Sequence, residues 1–305
     1  LRWGLRAGAD FIALSFVRDA KDIEDVHRIM DAEGIRLPVI AKIEKPQAVA
    51  NLVEIVETFD GIMVARGDLG VEMPIEEVPL VQKRCIELAR ANAKPVIVAT
   101  QMLDSMITNS RPTRAESTDC ANAVLDGADA LMLSGETSVG AFAIEAVQTM
   151  ARIIERTEEE LLDRIPPLRI APKSKGGAIT RAASEVGHIV EAKLLITFTQ
   201  SGDSARRMSR LRSEIPMIAI TPEHHVFNQL ALSWGVQPMI SELVSTTDEM
   251  VRQADKIVLK HNLAEKGNLV VIVAGSPPGI PGSINAMRVH KVGDAVDGVV
   301  AAYRK

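Results

Sequence analysis

The first half of the chain alternates short apolar runs with stretches whose apolar residues recur at helical spacing. Five apolar runs of strand length occupy residues 11–16, 38–44, 61–66, 95–100 and 130–134. Between two of these runs, Val49, Leu52, Val53 and Val56 are spaced to share one face of a helix. Buried strands that alternate with amphipathic helices predict repeated βα units and a parallel sheet. The spacing fits part of a (β/α)8 barrel, with three further strands outside this chain, or alternatively a doubly wound sheet.

A segment with little periodicity separates this pattern from a second one. Residues 165–177 carry three prolines and end in a Gly-Gly pair, which is typical of a linker. Apolar runs then recur at residues 194–198, 217–220, 236–239, 269–274 and 285–290. We therefore predict a barrel portion over residues 1–164, a linker over 165–176 and a smaller α/β domain over 177–305.

Composition and charge narrow the functional class. The net charge is −5, with acidic and basic residues interspersed, which argues against nucleic-acid binding and favours a small-molecule partner. No apolar run reaches the length that a membrane-spanning helix needs. Cys85 and Cys120 have no Cys or His at metal-binding spacing, so we interpret both as packing residues of a cytoplasmic protein. Because residue 1 is Leu, we also expect this chain to begin partway through a longer protein.

Polar side chains cluster where the first five runs end. The residues at these C-terminal ends are Ser15, Lys42, Glu44, Arg66, Asp68, Thr100, Ser134 and Glu136. In a barrel, active sites form at this face. Each feature alone is more often a surface ion pair or a turn, but polar ends on four consecutive strands favour a functional site.

The residue types at these ends indicate the chemistry. Glu44 and Asp68 follow neighbouring strands, and two carboxylates with few other protein ligands suit Mg²⁺ or Mn²⁺. Lys42 lies two residues before Glu44 and therefore points in the same direction. The turn at Gly67 can direct amide donors at an anion, and Thr100 can donate or relay a proton through water.

Five motifs in this order resemble those of the pyruvate kinase family. The resemblance rests on residues 38–49 (PVIAKIEKPQAV), 60–70 (DGIMVARGDLG), 99–103 (ATQML), 111–116 (RPTRAE) and 132–137 (MLSGET). It implies the last five βα units of a TIM barrel and a C-terminal regulatory domain. It also implies phosphoryl transfer between phosphoenolpyruvate and ADP, giving pyruvate and ATP.

The resemblance also implies a role for each strand-end residue. Lys42 would stabilise the phosphoryl group and the enolate, Glu44 and Asp68 would hold Mg²⁺ or Mn²⁺, and Thr100 would lie near the protonated carbon. The amides of Gly67 and Asp68 would bind the substrate carboxylate, and Ser15 and Phe16 would line the pocket. Arg66, Ser134 and Glu136 would support the site.

The same resemblance implies how the protein assembles and which parts of it precede Leu1. Family members are homotetramers, and Arg114, on a loop before a helix, would reach the 66–67 turn of a neighbouring subunit. The alternative is a solvated loop with Glu116 as a local partner. The lid, a phosphate-binding arginine and the K⁺ ligands would precede Leu1, so we expect this chain alone to be inactive or nearly so.

A loop in the second domain predicts a phosphate site. Thr199, Ser201, Gly202 and Ser204 lie between a strand and a helix, where hydroxyls and amides can bind a phosphate. An ordinary capped helix is the alternative. In the family this loop binds a phosphorylated allosteric effector, and the acidic and neutral residues in it favour a monophosphate over a bisphosphate. We expect residues 275–283 to close over the same site.

Two other functions fit parts of the sequence. A Mg²⁺-dependent aldolase or lyase that acts through a pyruvate enolate would use the same carboxylates, but it gives Lys42 no clear role and leaves the second domain unexplained. A noncatalytic phosphometabolite-binding module would use only the second-domain loop.

Overall fold

The computed structural model describes residues 1–168, 171–276, 278, 282 and 284–295. The chain forms two compact units, Leu1–Leu168 (unit 1) and Arg169–Lys305 (unit 2).

Unit 1 contains one parallel sheet whose five strands lie in sequence order. The strands are β1 (Ile12–Leu14), β2 (Val39–Ile43), β3 (Gly61–Ala65), β4 (Val96–Ala99) and β5 (Ala130–Met132). The predicted strands and the βα alternation are confirmed. The strand order does not reverse, as it would at the switch point of a doubly wound sheet, and it therefore agrees with consecutive units of a barrel.

Nine helices of unit 1 connect and cover these strands. They are α1 (Arg2–Arg6), α2 (Asp22–Glu33), α3 (Pro46–Ala50), α4 (Leu52–Thr58), α5 (Arg66–Glu72), α6 (Val78–Ala91), α7 (Arg114–Asp126), α8 (Gly135–Ser138) and α9 (Ala143–Leu161). All residues of β3 and β4 are buried, as expected for strands that are covered on both faces.

One residue of a predicted helical face, Val53, is wrong. The helix breaks at Asn51, whose side-chain amide donates to the carbonyl of Arg18 at 3.0 Å. The helix that restarts there buries Leu52 and Ile55 and leaves Val53 47% exposed. Leu52 and Val56 are buried and Val49 packs against the core, so these three members of the predicted face are confirmed.

The first residues of the predicted linker pack on unit 1. Ile165 is buried, and Arg90, itself 4% exposed, donates from Nη1 to the carbonyl of Pro166 at 3.0 Å. A buried guanidinium needs acceptors, and this carbonyl supplies one. Helix α10 (Lys175–Ile189) then begins after the N-cap Ser174, inside the predicted linker range.

Unit 2 is a smaller α/β unit with a mixed sheet in the order β10-β9-β6-β7-β8. Its strands are β6 (Leu194–Phe198), β7 (Met217–Thr221), β8 (Val236–Ile240), β9 (Leu269–Gly275) and β10 (Ile284–Lys291), with β10 antiparallel to β9. Helices α11 (Asp203–Ser209), α12 (His224–Leu230) and α13 (Thr247–Lys260) complete the described elements. The second α/β pattern is confirmed.

The two cysteines are packing residues. Cys85 on α6 and Cys120 on α7 are fully buried, and burial raises the pKa of each thiol to about 12. Such thiols are inert at neutral pH. Within the described part of the chain, no helix combines the length and apolar character that crossing a membrane requires.

Candidate active site

The C-terminal ends of β1 and β2 bring three predicted residues into contact. Lys42 Nζ lies 2.5 Å from Glu44 Oε1 and donates to Ser15 Oγ at 2.9 Å. The Lys42 side chain is 25% exposed, whereas Glu44 is 2% exposed. An ammonium group that is fixed by two oxygens and still open to solvent can bind an anionic ligand.

Phe16 anchors the other oxygen of the Glu44 carboxylate. Its backbone amide donates to Glu44 Oε2 at 2.7 Å, and its φ of 59° is uncommon for an aromatic residue. The Phe16 ring is exposed and lies 5.4 Å from Lys45 Nζ, which also pairs with Glu72 at 2.7 Å. Phe16 therefore forms part of the rim beside Glu44.

The second predicted carboxylate lies one strand further along. Asp68 is in the first turn of α5, which follows β3 directly. It is exposed, and no hydrogen bond or ion pair with the described residues engages its carboxylate. The described residues also contain no group of three or more His, Cys, Asp or Glu side chains placed to hold a metal ion. A divalent ion here would therefore take at most two carboxylates from this part of the chain.

Thr100 contacts the start of α5. Its Oγ1 accepts a hydrogen bond from the Gly67 amide at 2.7 Å and donates to the Ala99 carbonyl at 2.6 Å. A Cβ on Gly67 would lie 3.2 Å from this hydroxyl oxygen, so glycine permits the close approach. Thr100 and Gln101 have φ values of 71° and 54°, a conformation that is rare for a β-branched residue. Sequence patterns gave no signal for it.

The guanidinium of Arg66 lies beneath this turn. Its Nη1 contacts both carboxylate oxygens of Asp119, at 2.8 and 2.6 Å. Its Nη2 donates to the carbonyls of Thr100 at 2.9 Å and Gln101 at 3.2 Å. Arg66 could be identified from its strand end, whereas Asp119 could not, because the two residues are 53 positions apart.

Ser134 and Glu136 lie after β5. Glu136 is 1% exposed, and its two oxygens accept from the amides of Leu103 at 3.0 Å and Ser134 at 2.8 Å. Ser134 is the residue before α8, but its side chain makes no cap hydrogen bond. Glu136 therefore holds the segment after β4 against the segment after β5.

We expect Glu136→Gln to destabilise unit 1. The amide nitrogen would face one of the two backbone donors, and an unsatisfied buried donor costs about 1 to 3 kcal/mol. Urea unfolding measures this loss. Glu87→Gln, at an exposed position of α6, is the control and should stay within about 0.5 kcal/mol of the unsubstituted protein. Equal midpoints for both variants would contradict the role of Glu136.

Arg114 is the first residue of helix α7, not part of the preceding loop. Thr113 and Glu116 form a capping box with Thr113 as the N-cap, so the helix begins inside the predicted 111–116 loop. Glu116 bonds to Ser105 and Thr113, and these hydrogen bonds lower its pKa against the opposing effect of burial. The local pairing of Glu116 with Arg114 is therefore wrong, and Arg114 is exposed.

The predicted effector loop lies after β6 in unit 2. Gly202 has a φ of 78°, and its amide donates to Thr199 Oγ1 at 2.9 Å. Ser204 Oγ donates to the Phe198 carbonyl at 3.2 Å. Two of the predicted hydroxyls thus form hydrogen bonds within the loop.

A pocket of unit 2 opens beside this loop. Thr199, Ser201 and Ser204 line it, together with Gln253. Residues 275, 278 and 282 of the predicted closing loop also line the pocket, whereas residues 277, 279–281 and 283 lie outside the described residues. Apolar residues, among them Ile220, Leu243 and Met250, also line the pocket, so a ligand there would meet both polar and apolar groups.

Comparison with known proteins gives the same family for both units. The family model of the pyruvate kinase barrel domain matches residues 1–147, and that of the pyruvate kinase alpha/beta domain matches residues 177–290. The pyruvate kinase of Mycobacterium tuberculosis H37Rv is 57% identical over 294 residues, which are 96% of this chain and 62% of that protein. The pyruvate kinase of Corynebacterium glutamicum is 56% identical over 294 residues, which are again 96% of this chain and 62% of that protein.

A more distant relative has the same match over this chain. The pyruvate kinase of Geobacillus stearothermophilus is 46% identical over 297 residues, which are 96% of this chain and 50% of that protein. The chain thus spans less than two thirds of the length of these three relatives. Since both units match domains of one family in the expected order, the chain belongs to the pyruvate kinase family.

Proposed function

We propose that the protein transfers a phosphoryl group from phosphoenolpyruvate to ADP and so forms pyruvate and ATP. The observation that carries this proposal is the Lys42 ammonium, fixed by Ser15 and Glu44 at the C-terminal edge of a parallel sheet. Phosphoryl transfer depends on positioned positive charge more than on covalent catalysis. A fixed and accessible ammonium supplies that charge.

The carboxylates fit a divalent cation such as Mg²⁺ or Mn²⁺. A carboxylate has about four lone-pair sites, and the contacts with Lys42 and Phe16 use two of those on Glu44. Asp68 is exposed. Mg²⁺ in such sites is bound by one or two carboxylates plus substrate oxygens. We propose that Glu44 and Asp68 hold this ion, which when bound neutralises charge on the phosphoryl oxygens.

The other residues bind and orient the substrate. We propose that amides at the start of α5, around Gly67 and Asp68, bind the substrate carboxylate, because donors of a helix start favour anions. The Gly67 amide would then exchange its bond to Thr100 Oγ1. The hydroxyl of Thr100 would hold or relay the proton for the enolate carbon, a role that requires it to exchange its bond to the Ala99 carbonyl. Ser15 and Phe16 would line the pocket, with Arg66, Ser134 and Glu136 as support.

Assembly, regulation and location are further parts of the proposal. We propose a homotetramer in which Arg114, exposed on the first turn of α7, contacts a neighbouring subunit. The pocket beside Thr199 and Ser201 would bind a phosphorylated effector. Two buried, unpaired cysteines agree with a cytoplasmic location.

The test is ATP formation from phosphoenolpyruvate and ADP by the full-length product of the gene that encodes this chain. We expect activity that requires a divalent cation and stops when EDTA is added. Pyruvate release from a 4-hydroxy-2-oxo acid, without ADP, tests for the aldolase or lyase alternative. Lyase activity without ATP formation would refute the proposed function.

A further inference from the structure

We propose that Asp119 is a positioning residue that sets the location of the Thr100 hydroxyl through Arg66. This inference rests on the proposed function. Asp119 lies on helix α7, away from the strand ends, and its side chain is 38% exposed. It reaches the site only through the guanidinium that it binds.

The bond between Asp119 and Arg66 fixes the plane of the guanidinium. Both carboxylate oxygens lie within 2.8 Å of Nη1, and the Arg66 side chain is only 11% exposed. Gln82 Oε1 lies further from the same nitrogen, at 3.4 Å, and Arg66 Nε is buried without a hydrogen-bond partner among the described residues. Asp119 is therefore the charged partner that offsets the desolvation of this cation.

The fixed guanidinium in turn holds an unusual backbone. Nη2 donates to the carbonyls of Thr100 and Gln101, the two consecutive residues with positive φ. Non-glycine residues in this region cost about 1 to 3 kcal/mol and persist only where surrounding contacts hold them. The same turn places Thr100 Oγ1 against the Gly67 amide. A shift of the guanidinium would therefore displace the hydroxyl.

The substitution Asp119→Asn tests this chain of contacts. It removes the negative charge and replaces one acceptor with a donor that faces the guanidinium. The assay follows exchange of the methyl protons of pyruvate with deuterium oxide by NMR, in which a methyl proton leaves and a solvent deuteron replaces it. We expect exchange and kcat to fall about 10- to 100-fold, as for a small misplacement of a reacting group. The KM for phosphoenolpyruvate should change less than about threefold, because the carboxylate-binding amides stay in place.

Two further variants separate positioning from a general loss of structure. Asp31→Asn removes another ion-paired carboxylate of unit 1, the partner of Arg36, and should keep exchange unchanged. Asp119→Glu retains the charge and should recover part of the activity. Thermal unfolding of each variant verifies the fold.

A double-mutant cycle decides whether Asp119 acts through Thr100. If it does, adding Asp119→Asn to Thr100→Ala should lower exchange by less than about threefold further. A full additional loss, or equal exchange in the Asp119→Asn and Asp31→Asn variants, would overturn the inference alone. Absence of both ATP formation and exchange in the unsubstituted full-length protein would refute the proposed function, and this inference with it.

Discussion

Replacing Lys42 with Met in the full-length protein should lower kcat about 100- to 1000-fold, the loss typical of removing one preorganised electrostatic group. The ammonium acts on charge that develops during transfer, so its loss raises the barrier more than it weakens substrate binding. Affinity for the divalent cation should stay equal or increase, because Lys42 Nζ now lies 2.5 Å from a Glu44 oxygen and competes for it. Steady-state kinetics and Mn²⁺ binding by electron paramagnetic resonance measure the two effects.

Lys83→Met is the matched control for Lys42→Met. Lys83 pairs with Asp126 on the surface of unit 1, and its side chain is 60% exposed. This variant should retain the activity of the unsubstituted protein. A Lys42→Met variant that keeps turnover within about tenfold would contradict the proposed role, since an oxyanion-stabilising donor contributes more than that.

Asp68→Asn should change the metal requirement instead. The substitution removes a charged ligand, and even the loss of an outer partner of a metal ligand costs about 10- to 100-fold in affinity. We therefore expect the Mg²⁺ concentration for half-maximal activity to rise by at least about tenfold, with much of kcat regained at saturating Mg²⁺. A titration of activity with MgCl₂ gives both values.

The control for Asp68→Asn is Asp31→Asn, which removes a surface carboxylate that pairs with Arg36 at 2.8 Å. Its Mg²⁺ dependence should match that of the unsubstituted protein. If Asp68→Asn and Lys42→Met gave the same Mg²⁺ dependence, the division between a metal ligand and an electrostatic group would be wrong.

Most strands could be predicted from the sequence because their apolar runs are continuous. Those largely buried are β2, β3, β4, β6, β7 and β9. The contact between Lys42 and Glu44 was also predictable, since residues two apart on a strand point the same way. Asp68, predicted after the neighbouring strand, lies in the first turn of α5, which follows β3. In these cases a local rule and the tertiary environment agree.

The features that escaped prediction depend on contacts between distant segments. The pairing of Arg66 with Asp119 spans 53 positions and leaves no periodic signal. The positive φ of Thr100 contradicts the preference of a β-branched residue and is held by tertiary hydrogen bonds. The helix is interrupted at Asn51, whose side chain bonds to the carbonyl of Arg18, 33 positions away. Local patterns cannot report such contacts.

At position 100, the residue that best suits the backbone conformation differs from the residue that turnover requires. A glycine at this position would adopt a φ of 71° without the strain of about 1 to 3 kcal/mol that a non-glycine residue bears there. The same change would delete the hydroxyl that contacts the Gly67 amide. Laboratory evolution for heat resistance would therefore enrich glycine here, whereas selection for turnover would retain threonine.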